Sequence, residues 1–152
     1  MSDLIRNAKP EDIGTLANIF IRAYAGEPWN EPNWKYEQAY ARISDLVLSP
    51  NALCLTYDED GVIKGAILCK LLSWHDGKKI EWHELFIDSN QQGQGIGKKL
   101  IRRLEAEAIN LGANEINFWT IRTPGAVNLV EYYSRLGYQV TKNRVVMVKD
   151  IK

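Results

Sequence analysis

The stretch EWHELFIDSNQQGQGIGKKLIRRL, from Glu81 to Leu104, organises the chain. It opens as an alternating apolar run, passes through Asp88-Ser89-Asn90, and enters the glycine-rich turn Gly93-Gln94-Gly95-Ile96-Gly97. A basic amphipathic helix follows, with Lys98 and Lys99 at its start. A strand that feeds such a turn and then a helix is an anion site. The first N–H groups of the helix lack intrahelical acceptors, aligned peptide dipoles add partial positive charge, and glycine lets the backbone close on a ligand. The sequence therefore predicts a diphosphate cradle. Taken alone, the six residues from Gln92 to Gly97 would equally suit a turn kept for tight strand-to-helix packing; the rest of the chain weighs against that.

Spacing excludes two common diphosphate binders. A dinucleotide fingerprint starting at Gly93 or Gly95 needs glycine where Lys98 or Leu100 stands. A phosphate loop ending at Gly97-Lys98 needs glycine at Gln92 and a hydroxyl at Lys99. What remains, Gln92-Gly93-Gln94-Gly95-Ile96-Gly97, fits [QR]-x-x-G-x-[GA]. That pattern is similar to the coenzyme A pyrophosphate signature of the GNAT superfamily of acyl-CoA-dependent N-acetyltransferases, and the chain resembles that superfamily here.

Composition sets bounds on other functions. The chain has 152 residues, 45% hydrophobic and 25% charged, which suits one globular domain spanning 1–152. Lys plus Arg equals Asp plus Glu at 19 each, so no global field favours nucleic acid or an anionic membrane. No apolar run approaches the ~20 residues of a membrane span, and MSDLIRNAKPED lacks the apolar core of a signal peptide. Cys54 and Cys69 lack CxxC spacing and lie in apolar surroundings, so buried free thiols in a reducing cytoplasm are expected. With only His75 and His83, and no Cys/His cluster, no metal site is expected.

Periodicity orders the rest. Leu4 to Ala8 reads as a strand; Pro10 then opens a helix carrying Ile13, Leu16, Ala17, Phe20 and Tyr24 on one face. The loop GEPWNEPNW, residues 26–34, cannot continue it, and a second helix runs from Tyr36 to Leu48. Strands Ala52–Tyr57, Val62–Trp74 and Ile80–Asp88 form a meander. After the basic helix, Gly112 acts as its C-cap, Ile116–Ile121 is a strand, and a helix runs from Pro124-Gly125 to Leu136. Tyr138–Thr141 and Val145–Lys149 close the chain as a hairpin. The order is β-α-α-β-β-β-α-β-α-β-β, an α+β fold around one mixed central sheet with helices on both faces. GNAT domains have this order, so the resemblance runs from about Leu4 to Lys149.

The resemblance implies an acetyl-CoA co-substrate, no metal, and an amine acceptor. It places the pantetheine arm beside Leu85, Phe86 and Ile87, and the pyrophosphate on backbone N–H groups from Gln92 to Lys98. A free N–H near Phe86 would polarise the thioester carbonyl. Glu81 lies eleven residues before Gln92, where several family members carry a catalytic glutamate; Glu84 is its rival. Strict alternation puts Glu81 and His83 on the face of Leu85 and Glu84 on the other, unless a bulge breaks the parity. Tyr133 begins Tyr133-Ser134-Arg135-Leu136-Gly137-Tyr138, similar to the family's Y-x-x-x-G-[FY] segment, in which the phenol faces the coenzyme sulfur. Many members have asparagine seven residues earlier; here that is Ala126, with Asn128 nearby as a substitute coenzyme contact.

The loop between the first two helices borders the acceptor in the family. Glu27, Trp29, Trp34 and Tyr36, with Glu31 and Tyr40, combine carboxylates with aromatic faces, a chemistry suited to a cationic amine. They equally suit a cap on the core. The expected activity is acetyl transfer to a primary amine, small molecules being favoured over protein tails; a non-catalytic acyl-CoA sensor is the alternative. Family members commonly dimerise, and the sequence leaves a homodimer open.

Overall fold

Helical spacing of Ile13, Leu16, Ala17, Phe20 and Tyr24 produces an apolar stripe, and all five are buried. In the computed structural model, which describes residues 3–122 and 128–151, they line helix α1 (Ile13–Ala25). A single 3-10 turn, Pro10–Asp12, leads into it from strand β1 (Ile5–Asn7). Helix α2 (Tyr36–Val47) follows and buries Ala39, Ile43 and Leu46. Next come strands β2 (Ala52–Glu59), β3 (Val62–Trp74) and β4 (Gly77–Ile87), then helix α3 (Ile96–Asn110) and strand β5 (Ala113–Asn117).

The five strands form one sheet in the order β1-β2-β3-β4-β5. The first four pair antiparallel and β5 runs parallel to β4, as expected for a mixed sheet with α3 as the crossover. Cys54, Ala66, Leu68 and Phe86 share one face and join α1 and α2 in a single core cluster. Leu55, Ile67 and Ile80, of opposite parity and fully buried, face the other side, where α3 packs with Leu100, Ile101 and Leu104.

One ion network ties the sheet edge to α1. Arg6 Nη1 and Nη2 donate to both oxygens of Asp12 at 2.8 and 3.0 Å, and its Nε donates to Asp58 at 2.9 Å. Asp12 is buried and also accepts from the Lys9 N–H at 2.7 Å. Asp12→Asn keeps one acceptor oxygen but loses the charge and the second acceptor facing Arg6, leaving Asp58 as the remaining carboxylate partner of Arg6, and is expected to cost about 1–3 kcal/mol in urea unfolding. Hydrogen bonding to Arg6 holds the Asp12 carboxyl below its ordinary value. Its contribution is therefore complete above the unfolded carboxylate value of about 3.9 and fades as pH falls through the folded value. The stability gap between wild type and Asp12→Asn should close in acid.

The chain divides into two compact units, Met1–Phe118 and Trp119–Lys152. The first holds the sheet and α1–α3. In the second, the described residues form helix α4 (Leu129–Arg135), capped by Asn128, whose Oδ1 accepts from the Glu131 N–H at 3.0 Å. The expected start of this helix at Pro124-Gly125 lies outside the described residues.

Two expectations shift. Strand β5 occupies 113–117 rather than 116–121, because parallel pairing with β4 begins at Lys78↔Ala113 and stops at Glu81↔Asn117. The final hairpin does not form: residues 138–151 contain no helix or strand, and Val145, Val146, Met147 and Val148 are exposed. Alternation predicts which residues could be strand, but two strands need a packed face or a neighbouring strand to persist.

Candidate active site

The deciding local feature is a bulge in β4. Leu68 pairs with Glu84 and Cys69 with Trp82, so His83 is an extra residue with no partner on β3. A one-residue insertion reverses parity beyond it. Cross-strand partners share a face, so Glu81 (opposite Lys70) and Glu84 (opposite Leu68) both lie on the α1/α2 side, with Phe86. Leu85 and Ile87 point to the opposite face. Strict alternation had separated the two glutamates; the bulge unites them.

Their surroundings differ. Glu84 Oε1 accepts from the Tyr24 hydroxyl at 2.6 Å, and Oε2 accepts from Arg42 Nε at 3.0 Å and pairs with Arg42 Nη2 at 2.9 Å. Its side chain is 13% exposed. Both carboxylate oxygens are thus committed to α1 and α2. The Glu81 side chain is 40% exposed, and among the described residues its Oε1 meets His83 Nε2 at 3.2 Å.

Beside these carboxylates the sheet opens. Pairing of β4 with β5 ends at Glu81↔Asn117, whereas pairing with β3 continues to Ile87. Six residues of β4, from Trp82 to Ile87, therefore extend past the β5 ladder. Phe118, just beyond β5, stacks on Trp82 with ring centroids 4.1 Å apart. A strand edge that its neighbour stops pairing offers backbone N–H and C=O groups to an extended ligand.

The open edge leads into the glycine turn. Asp88 is gripped by Arg22 of α1 at 3.0 and 2.9 Å, which holds its carboxyl below the ordinary value. Gln92 Nε2 donates back to the Ile87 carbonyl at 3.3 Å. Gly93 and Gly95 adopt φ of +82° and +78°, and Gly95 is the N-cap of α3. Neither could carry a side chain without strain, although a Cβ there would meet nothing within 4 Å. A Cβ on Gly97 would stand 3.9 Å from Ile87, an ordinary contact, which explains why the motif admits alanine at that position. Glycine at the N-cap offers no side-chain acceptor, and the first turn of α3 has no acidic residue. The amides of Ile96, Gly97 and Lys98 lie where helix geometry leaves first-turn donors without intrahelical acceptors. Lys99 sits over the Tyr57 ring at 5.9 Å.

The loop between α1 and α2 packs on the same face as the glutamates. Trp29 lies 5.0 Å from Tyr24, Trp34 stands edge-on to Phe20 at 4.8 Å, and Phe20 meets Phe86 at 5.5 Å. Trp34 Nε1 donates to Glu31 at 3.3 Å. Trp29 and Trp34 are thus partly core, linked through α1 to β4. Glu27 is exposed on this loop. Tyr36 is set apart: its hydroxyl lies 3.0 Å from where a Cβ on Gly14 would stand, at the opposite end of α1 from Tyr24.

In the second unit, Tyr133 stacks edge-on with Tyr132 at 5.2 Å, and burial pushes its phenol up to about 12. Asn128 spends its side-chain oxygen on the α4 cap. Cys54 and Cys69 are buried thiols; burial raises Cys54 to about 11 and Cys69 higher still, which suppresses the thiolate a nucleophile needs. Sequence reasoning missed Tyr24, Arg42 and Arg22. Their partners lie 60, 42 and 66 residues away, where no local pattern reaches.

Residues 14–138 match the family model described as Acetyltransferase (GNAT) family. An uncharacterised N-acetyltransferase of Methanocaldococcus jannaschii is 27% identical over 162 residues, covering 97% of this chain and 66% of that protein. The L-amino acid N-acyltransferase MnaT of Escherichia coli is 28% identical over 111 residues, covering 71% of this chain and 64% of its own length. The chain thus spans just under two thirds of each of these two relatives. A structure described as a possible acetyltransferase from Clostridium difficile 630 superposes with a TM-score of 0.82 at 14% identity, covering 97% of both chains. The family match spans the strand, the glycine-rich turn and the start of α3 described above, and the chain belongs to the GNAT family of acetyltransferases.

Proposed function

We propose that this protein transfers the acetyl group of acetyl-CoA to a primary amine of a small molecule by direct attack within a ternary complex. The observation that carries the reading is the end of β5 pairing at Glu81 while β4 runs on, continuous with a helix N-terminus whose cap is glycine. Pantetheine lies along Leu85, Phe86 and Ile87, and the N–H near Phe86 polarises the thioester carbonyl. The pyrophosphate sits on the backbone from Gln92 through Gly93, Gln94, Gly95, Ile96 and Gly97 to Lys98. Asn128 adds a coenzyme contact through its backbone or amide group.

Glu81 is the base. Its carboxylate is 40% exposed, and among the described residues His83 meets one of its oxygens, whereas Glu84 is held by Tyr24 and Arg42. Glu81 takes a proton from the ammonium; the amine nitrogen bonds the carbonyl carbon; the C–S bond breaks and Tyr133 protonates the thiolate. A phenol raised to about 12 stays protonated at neutral pH, as an acid must. Trp29, Trp34 and Glu27 receive the acceptor's cationic and apolar parts. The name of the Escherichia coli relative makes α-amino acids the first amines to try.

The test is release of free coenzyme A from acetyl-CoA across a panel of amino acids, polyamines, amino sugars and peptide N-termini. Turnover of a small amine supports the reading; acetyl-CoA binding without turnover of any amine supports the sensor alternative. Tyr133→Phe should lower kcat about 10²-fold with acetyl-CoA affinity retained. Undiminished turnover would remove Tyr133 from the reaction.

A further inference from the structure

We propose that His83 is a positioning residue for Glu81: the bulge exists on this face as a histidine that aims the base and carries its proton to water. This rests on the acetyl-transfer reading above and adds a residue to it. Three observations converge on the ring. His83 is the residue the β3–β4 register leaves over, so its placement owes nothing to ladder pairing. Its Nε2 lies 3.2 Å from Glu81 Oε1. The two side chains are 30% and 40% exposed, so the pair is in contact with solvent at the point where β5 stops pairing with β4.

Other charged groups on this face are arranged differently. Glu84 is held by Tyr24 and Arg42. Lys79, which shares the face through its register with Leu72, is bound to Asn114 at 3.1 Å and lies 3.8 Å from Glu115. Glu115 also accepts from Asn117 at 2.9 Å. Lys70 faces Glu81 directly from β3 and can neutralise the carboxylate, but an ammonium has no acceptor and cannot receive a proton. Imidazole is the group here that both donates and accepts.

The proton path balances. With Glu81 charged, Nε2–H donates to Oε1 and leaves Oε2 to face the amine. Oε2 takes one proton from the ammonium. The protonated carboxyl then turns to bring that proton to Nε2 of the ring, whose tautomer has exchanged through water; Nε2 accepts it and Nδ1 loses its proton to solvent. Glu81 returns to its carboxylate form, ready for the second nitrogen proton released as the amide forms. The thiolate is protonated separately.

His83→Ala is the direct test, with far-UV circular dichroism to confirm folding and His83→Asn as the second variant. Asn can hydrogen-bond Glu81 but cannot carry a proton. Both variants should lose about tenfold in kcat with KM for acetyl-CoA unchanged, and added imidazole should restore kcat in His83→Ala. Restoration is a readout that a purely structural role would not give. Unchanged kcat in the folded variants, or a loss that imidazole leaves unrelieved in His83→Ala, overturns the role of His83 while leaving acetyl transfer in place. A wild-type protein that binds acetyl-CoA and turns over no amine overturns the transfer reading and this proposal together.

Discussion

Gly95→Val is expected to weaken acetyl-CoA binding about 100-fold in isothermal titration calorimetry, close to abolishing it. The reason is backbone geometry rather than space. Gly95 holds φ at +78° as the N-cap of α3, and an added Cβ would meet nothing within 4 Å. A β-branched residue there costs roughly 1–3 kcal/mol in the left-handed region. The chain avoids that cost by rotating, and rotation turns the first-turn amides away from a shared focus. Hydrogen bonds to a charged group contribute about 1.5–3 kcal/mol each, so losing one or two yields the expected factor. The fold should survive, because Ile96, Leu100, Ile101 and Leu104 still bury the helix. Gly97→Ala is the control: its Cβ would stand at ordinary distance from Ile87, and binding should be retained. Wild-type affinity in Gly95→Val would remove the cradle.

The two strand glutamates should separate cleanly when each is made an amide. Glu81→Gln is expected to lower kcat by roughly 10³-fold, with acetyl-CoA affinity and unfolding midpoint near wild type. Its side chain is 40% exposed and, among the described residues, holds His83, so little structure depends on it. Glu84→Gln should do the reverse. It strips the charge opposite Arg42 and the acceptor of Tyr24, at about 1–3 kcal/mol of stability, and loosens α1 and α2 from β4. Its activity loss should appear mainly as a raised KM for the amine, because α1 and α2 flank the loop bearing Trp29 and Trp34. A greater kcat loss in Glu84→Gln than in Glu81→Gln would exchange the roles.

Much of this was legible because local rules suffice where the determinant is local. The stripe of α1, the meander and the glycine spacing each follow from a few adjacent residues, and each appears within a few residues of its expected place. The C-terminal hairpin shows the limit. Alternation at Val145–Lys149 describes what a strand would bury, but pairing is a property of two segments, and residues 138–151 contain no strand. Likewise Trp29 and Trp34 were recognisable as an aromatic loop, while their stacking toward Phe20 and Tyr24 depends on how the loop returns over α1.

By itself the sequence determined the family frame: which strand carries the carboxylates and which glycine-rich turn opens the basic helix. It could do so because turn conformation and helix polarity are set within a handful of bonds. Only the tertiary structure set the different surroundings of the two glutamates. One unpaired residue, His83, reverses the parity of β4, and then side chains from α1 and α2, 60 and 42 residues away, claim Glu84 and leave Glu81 exposed. A bulge is fixed by the register against a neighbouring strand, and an ion pair by the packing of distant helices; neither is written in the spacing of adjacent residues.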